Sequence, residues 1–274
     1  MDVHYFGWSG VALQHGEMLI GFDLFGEAVT WDTLPDVAEI ILCVTHGHPE
    51  HCGSLRQLLS DRDARLDWVH VVSSPTVIDH VTRGVQIPTD QLHPIEKNGT
   101  VTINQTHITA FEWKHMPLLP PGLDRKIDYV AHVLRHPLEL ARIGTSGLRL
   151  PMNAPMLGYH VALEDGPRVL NYAEGVHRLT DQREVEAIAR QYPSDMLMFA
   201  VEPEDVEVIP RWIELLSPST VILYEAHRPW REMFGLPYVD LEEYAARLST
   251  RFRQTQFMPL TAASTQHVSV KLTC

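Results

Sequence analysis

Residues Thr45–Gly53 read THGHPEHCG, which places three histidines and one glutamate within six consecutive residues. The apolar run Ile40–Val44 comes directly before them, and its length and β-branched residues predict a buried strand. Leu55, Leu58 and Leu59 then recur at helical spacing, which predicts a helix. The polar side chains are therefore expected on a loop at the carboxyl end of a strand, where open α/β folds place their chemistry. Neutral imidazole and carboxylate ligands together suit zinc, manganese or iron.

The composition of the chain excludes several classes of function. Its 274 residues, 45% of them apolar, are sufficient for one large core or two small ones. A formal net charge of −13 argues against nucleic-acid binding, which needs a basic surface. No apolar run approaches the length of a membrane span, the N-terminus has no signal pattern, and three cysteines form no disulfide framework. We expect a cytoplasmic protein that binds neither nucleic acid nor a membrane.

The histidine-rich stretch resembles the His-x-His-x-Asp-His signature of the metallo-β-lactamase superfamily. Glu50 stands where that family usually has aspartate, and Gly53 matches the glycine that follows the signature. The resemblance implies an α/β protein with a four-layer αββα fold, in which two mixed β-sheets are sandwiched between helices. The predicted order of strands and helices supports this arrangement as a single domain over residues 1–274.

The first strands resemble, more distantly, the branch that contains ascorbate-6-phosphate lactonase and the N-acyl-phosphatidylethanolamine phospholipase. In that branch a Gly-His-Ser-like turn precedes a strand that ends in Ile-Asp-Pro. This chain has Trp8 in place of the histidine, Asp23 at the aspartate and Leu24 in place of the proline. Asp23 is thereby a candidate for orienting a metal-bound histidine, and an ordinary aspartate at a strand end is the alternative.

Other residues match the superfamily's remaining ligand positions, each at the end of a predicted strand. The resemblance implies two divalent metal ions per chain, with zinc favoured and manganese or iron as alternatives. The implied ligands of the first ion are His46, His48 and His115. Those of the second ion are Glu50, His51 and His227, with Glu174 bridging both ions.

The implied chemistry is hydrolysis, because a pair of metal ions activates a shared water and polarises the bond under attack. We predict a metal-dependent hydrolase of an ester, lactone, amide or phosphodiester. Glu50 is a predicted catalytic residue, and His177 or His160 is a candidate proton donor to the leaving group. Two alternatives remain open: an iron-dependent oxidative or redox enzyme on the same fold, and a metal-binding protein without catalysis.

Residues 117–157 interrupt the regular pattern with prolines and glycines, and we predict that they form a lid over the metals; the alternative is a surface excursion with solvated charges. They contain five basic and three acidic residues, a net charge of +2 in an acidic protein. A cationic lid beside metal ions favours an anionic small-molecule substrate. Homo-oligomerisation is compatible with the sequence. The predicted substrate-binding residues are Arg125, Lys126, Arg142 and Arg149.

Overall fold

The computed structural model describes residues 1–25, 29–53, 55–61, 66–116, 122–138, 151, 153–261 and 264–270. These residues contain fourteen strands in two sheets. The strands of the first sheet are β1 Asp2–Gly7, β2 Gly10–His15, β3 Met18–Phe22, β4 Glu39–Cys43, β5 Val69–Ser73, β6 Leu92–Pro94 and β14 Ser264–His267. Those of the second sheet are β7 Thr100–Ile103, β8 Thr106–Glu112, β9 Leu157–Leu163, β10 Arg168–Ala173, β11 Met196–Ala200, β12 Thr220–Tyr224 and β13 Gln256–Leu260.

Both sheets are mixed, and each changes from antiparallel to parallel pairing along its width. The first has the order β14-β1-β2-β3-β4-β5-β6, antiparallel up to β3 and parallel from there to β6. The second has the order β13-β12-β11-β10-β9-β8-β7, parallel from β13 to β10 and antiparallel beyond. Because parallel strands end at the same edge, the loops that follow them meet there.

Helices cover the outer faces of the two sheets. The described residues contain α1 Pro49–Cys52, α2 Leu55–Leu59, α3 Pro75–Val81, α4 Leu123–Leu134, α5 Gln182–Gln191, α6 Ile209–Leu216, α7 Arg228–Met233 and α8 Leu241–Arg251. Proline opens α3, where its missing N–H costs nothing, and Asp181 and Asp240 cap α5 and α8 by accepting backbone hydrogen bonds. None of the helices in the described ranges has the length and apolar character needed to span a membrane.

Alternation of side chains along the strands creates the four layers. Ile20 and Ile41 point between the sheets, where they join a core that also contains Tyr159 and Met198 from the second sheet. Their neighbours on the same strands face outward and pack against α2 and α3. The opposite face of the second sheet packs against α5, α6 and α8. This is the predicted arrangement of two mixed sheets between helices.

The C-terminal strands differ from the sequence-based prediction. The sequence predicts a closing edge strand over residues 268–272, whereas β14 spans Ser264–His267 and pairs antiparallel with β1. Residues 271–272 lie outside the described residues. The prediction also missed β13, because Pro259 within it argues against a strand. The proline is tolerated since, among the described strands, β13 lies at the edge of its sheet and pairs only with β12.

The predicted lid contains the amphipathic helix α4, which the sequence reading did not assign. α4 packs through Val133 on Phe234 and Leu236, next to α7. The Trp230 Nε1–H also donates a hydrogen bond to the Tyr129 hydroxyl at 3.1 Å. Residues 117–121, 139–150 and 152 lie outside the described residues, so their part in a lid remains a prediction.

Candidate metal centre

The ligand-type residues predicted from the sequence meet at the edge where the parallel strands end. His46 and His48 follow β4 of the first sheet. His115, Glu174 and His227 follow β8, β10 and β12 of the second sheet. The site therefore lies between the two sheets, with each sheet contributing side chains from its own loops.

His46, His48 and His115 form a compact group whose ligand nitrogens all lie within 4.8 Å of one another. Gly47 is essential to this loop, because a Cβ there would lie 2.1 Å from the Pro151 carbonyl oxygen. Burial and the neighbouring histidines lower the pKa of His46 well below its usual value and that of His48 to about 4. Both rings are therefore neutral at pH 7, which is the form that binds a metal.

Glu174 lies between the two predicted halves of the centre. Its Oε1 is 3.0 Å from His51 Nε2 and 3.6 Å from His227 Nε2, while its Oε2 is 3.1 Å from His115 Nε2. Ala173, with φ of 48°, turns the chain out of β10 so that Glu174 faces the centre. Burial would raise the pKa of Glu174, but the charges on His227 and His51 hold it well below the usual range. An ionised carboxylate with one oxygen toward each half suits a bridging ligand.

Glu50 lies at the rim of the centre, with its side chain 17% exposed. Its Oε1 is 3.8 Å from both His48 Nδ1 and His227 Nε2. Two described groups have all their donor atoms within 4.8 Å, the second being His46, His51 and Glu174, and neither includes Glu50 or His227. The predicted second ligand set is thus more widely spaced than the first.

The donor atoms fit a divalent metal ion. His46 Nε2 is buried and has no hydrogen-bond partner among the described residues, while the buried His115 Nε2 and Glu174 Oε2 face each other at 3.1 Å. An unsatisfied buried polar atom costs about 1–3 kcal/mol, so the free nitrogen of His46 beside this pair suits a metal ligand. Nitrogen and oxygen ligands at about 2.1 Å from a tetrahedral zinc ion are about 3.4 Å apart. The nitrogen–oxygen separations around Glu174, 3.0 to 3.6 Å, match that spacing.

Asp23 anchors the histidine-rich loop through contacts with Thr45 and His51. Its carboxylate accepts hydrogen bonds at 2.7 Å from both the backbone N–H and the hydroxyl of Thr45. Its Oδ2 lies 2.9 Å from His51 Nδ1, which directs His51 Nε2 toward Glu174. Burial alone would lower the pKa of His51, but Asp23 and Glu174 raise it to about 10. This geometry agrees with the orienting role that the sequence suggested for Asp23.

Glu202 contacts the site, and the sequence reading missed it. Its Oε1 lies 2.8 Å from His227 Nδ1, and its Oε2 accepts a hydrogen bond from Arg231 Nε at 2.7 Å. Burial would raise the pKa of Glu202, but His227 and Arg231 lower it, so this buried carboxylate is ionised. The signal in the sequence was its position: Glu202 follows the buried strand β11 just as Glu174 follows β10.

The structure does not support the proton-donor role predicted for His177. Its Nε2 lies 2.7 Å from the Lys114 carbonyl oxygen, and its Nδ1 accepts a hydrogen bond from the Leu179 N–H at 3.1 Å. Both ring nitrogens of this buried histidine are thus engaged, so His177 secures the segment that carries His115. His160 lies on β9 instead, with its Nε2 3.3 Å from the Pro193 carbonyl oxygen.

The basic lid residues are only partly described. Lys126 is exposed on α4, and the backbone of Arg125 lies beside it in the same helix. Arg142 and Arg149 lie outside the described residues. The role of these four side chains in substrate binding remains a prediction.

Layered sheets and a cluster of histidines and carboxylates at their common edge define an αββα protein with a candidate dinuclear metal centre. A metallo hydrolase from the archaeon Ignicoccus hospitalis is similar, with a TM-score of 0.65, 13% sequence identity, and coverage of 98% of this chain and 99% of that chain. A metallo-β-lactamase fold protein from Bacillus subtilis has a TM-score of 0.58 at 10% identity, covering 97% and 98% of the two chains.

A diiron β-hydroxylase from Streptomyces venezuelae also shares the fold, with a TM-score of 0.58 at 12% identity. That similarity covers 97% of this chain but 54% of the hydroxylase. No family model matches the chain, and no curated protein matches its sequence. The chain has the metallo-β-lactamase fold, as predicted, whereas the likeness to the lactonase and phospholipase branch is not confirmed.

Proposed function

We propose that this chain is a metal-dependent hydrolase with two divalent ions at the edge of its sheets. The observation that carries the proposal is the convergence of buried donor atoms: His46 Nε2 has no partner among the described residues, and it lies with His48 and His115 in a group whose ligand nitrogens are all within 4.8 Å. The fold shared with a metallo hydrolase is compatible with this chemistry but does not establish it, because one fold hosts many reactions.

The chain's own residues would divide the work of the site. His46, His48 and His115 would hold one ion, and Glu50, His51 and His227 the other, with Glu174 between them. When bound, such ions activate water as a nucleophile and stabilise the negative charge that develops on the substrate.

Glu50 combines the position and the charge of a catalytic base. It lies at the rim, between the buried centre and solvent. Burial would raise its pKa, but His227 and His51 bring the pKa below its ordinary value, so the carboxylate is ionised. An ionised carboxylate at this position can accept a proton from water or substrate. We therefore assign Glu50 a proton-accepting role in addition to metal binding.

The substrate that we propose is an anionic small molecule with an ester, lactone, amide or phosphodiester bond. The support is the local charge: the segment 117–157 has a net charge of +2 in a chain with a formal net charge of −13. A cationic segment beside metal ions attracts phosphate or carboxylate groups.

An iron-dependent oxidative enzyme is the second candidate. The observation in its favour is the fold shared with a diiron β-hydroxylase, together with two glutamates, Glu50 and Glu174, among the candidate ligands. Carboxylate and imidazole ligands suit iron as well as zinc.

Elemental analysis of freshly purified protein separates these functions. Close to two redox-inert ions per chain, with hydrolysis of an anionic ester panel that chelation abolishes and zinc restores, is the result we expect. Mostly iron, with oxygen consumption, would move the assignment to the oxidative enzyme. Fewer than about half an ion per chain after reconstitution with zinc, manganese or iron would leave a protein without a catalytic metal centre.

A further inference from the structure

His227 has its two ring nitrogens turned toward different environments. Its Nε2 faces the centre, 3.6 Å from Glu174 Oε1 and 3.8 Å from Glu50 Oε1. Its Nδ1 faces away from the centre, 2.8 Å from Glu202 Oε1. Since a neutral imidazole has one N–H and one lone pair, an Nδ1–H donated to Glu202 leaves the lone pair on Nε2, toward the centre.

Glu202 is itself held in place by Arg231. The guanidinium approaches Glu202 Oε2 through Nε at 2.7 Å and through Nη2 at 2.6 Å. The same guanidinium also contacts Glu204 Oε2 at 2.5 Å and donates to the Pro237 carbonyl oxygen at 2.8 Å. With one oxygen bound to His227 and the other to Arg231, the buried Glu202 carboxylate has a single orientation.

We propose that Glu202, fixed by Arg231, is a positioning residue that sets the tautomer and ring orientation of His227 as a ligand of the second metal ion. The inference rests on the proposed metal centre and adds a residue to it that does not touch the ion. Carboxylates that hydrogen-bond a ligating histidine in this way change metal affinity by about 10- to 100-fold when they are removed.

The chain offers a matched control in Glu225, a second buried carboxylate near the same histidine. Its Oε1 accepts from the Val239 N–H at 2.8 Å, and its Oε2 accepts from Arg228 Nη1 at 3.3 Å. These contacts hold the segment after α7 and leave His227 untouched. Glu202→Gln and Glu225→Gln therefore each replace one buried carboxylate by an amide, but of the two side chains only that of Glu202 contacts the candidate ligand His227.

The test is a competition titration of metal-free protein with zinc and a chromophoric chelator, which resolves two binding steps. In Glu202→Gln we expect one of the two steps, that of the second ion, to lose about 10- to 100-fold in affinity while the other stays within about threefold of wild type. In Glu225→Gln both steps should stay within about threefold. Cobalt substitution adds a spectroscopic readout, since the absorption of the second ion should change in Glu202→Gln and remain as in wild type in Glu225→Gln.

Three outcomes would overturn the inference. The first is wild-type affinity in both steps of Glu202→Gln, and the second is an equal loss in Glu202→Gln and Glu225→Gln, which would indicate general destabilisation. If Glu202→Gln does not fold, Glu202→Asp is the second variant, since it keeps the charge but withdraws it by about 1.5 Å. Unchanged metal affinities in Glu202→Asp are the third outcome. Wild-type protein that binds fewer than two ions would refute the proposed centre itself, which is a distinct result.

Discussion

The two halves of the candidate centre differ in the pKa values of their histidines before any ion binds. In the first half His46 and His48 are neutral, because burial lowers the pKa of each, whereas burial of His115 is outweighed by Glu174, which raises its pKa. In the second half, burial would also lower the pKa values, but carboxylates raise that of His51 to about 10 and that of His227 well above its usual value. Two of the three histidines in the first half therefore present free lone pairs, while both histidines of the second half are paired with carboxylates.

This difference implies unequal affinities for the two ions. An ion entering the first half finds two neutral histidines, His46 and His48, so it displaces fewer protons. An ion entering the second half must displace protons from His51 and His227, which reduces its affinity at neutral pH. We therefore expect the first half to fill first and the second half to be the more sensitive to substitutions around it.

The largest effect is expected from removing a donor of the first half. His48→Ala should abolish retention of the tighter ion and lower the hydrolytic rate on the order of 10³-fold or more, because a Lewis acid and its activated water are lost. Elemental analysis and steady-state rates measure both. His80→Ala, on α3, is the control and should change neither. Full metal content and full rate in His48→Ala would show that the first half is assigned incorrectly.

Glu174→Gln should affect both halves, because its two oxygens face different histidines. We expect loss of the second ion and weaker binding of the first. Metal-free protein should also lose about 3–5 kcal/mol of stability, the usual cost of removing one partner of a buried ion pair. Chelator titration and denaturant unfolding measure these effects. A variant that loses only one ion, with the other at wild-type affinity, would place Glu174 in one half alone.

Glu50→Asp should act on the second half only. Shortening the side chain by about 1.5 Å withdraws an oxygen that is already 3.8 Å from His227 Nε2. We expect about a tenfold loss of affinity for the second ion and an unchanged first ion. Unchanged stoichiometry and affinity for both ions would mean that Glu50 is not a ligand.

The smallest effect is expected from the basic residues of the predicted lid. Paired replacement of Arg125 and Lys126, or of Arg142 and Arg149, by alanine should raise KM for an anionic substrate a few-fold and leave kcat and both metal affinities unchanged. Increasing salt should reduce the difference, because it screens exposed charges. Equal hydrolysis of anionic and neutral esters by wild type and variants would remove the case for an anionic substrate.

The sequence by itself determined those elements whose structure depends on residues close together in the chain. The buried strand β4 and the histidine-rich loop after it could be predicted, because a hydrophobic run, a loop and a helix follow one another within twenty residues. His115, Glu174 and His227 were found through the family resemblance, each at the end of a strand that the sequence predicts. That these strand ends share one edge followed from the fold that the resemblance implied.

Tertiary structure alone decided the partners of those side chains. The pattern around Glu202 shows a carboxylate after a buried strand, but only the parallel pairing of β11 with β12 brings it to His227. The same holds for β13, where Pro259 is acceptable only because the strand lies at an edge. His177 is the converse case. Its residue type made it a candidate proton donor, but backbone groups contact both of its ring nitrogens. Sequence pattern records what a residue is able to do, whereas long-range packing determines which atoms it meets.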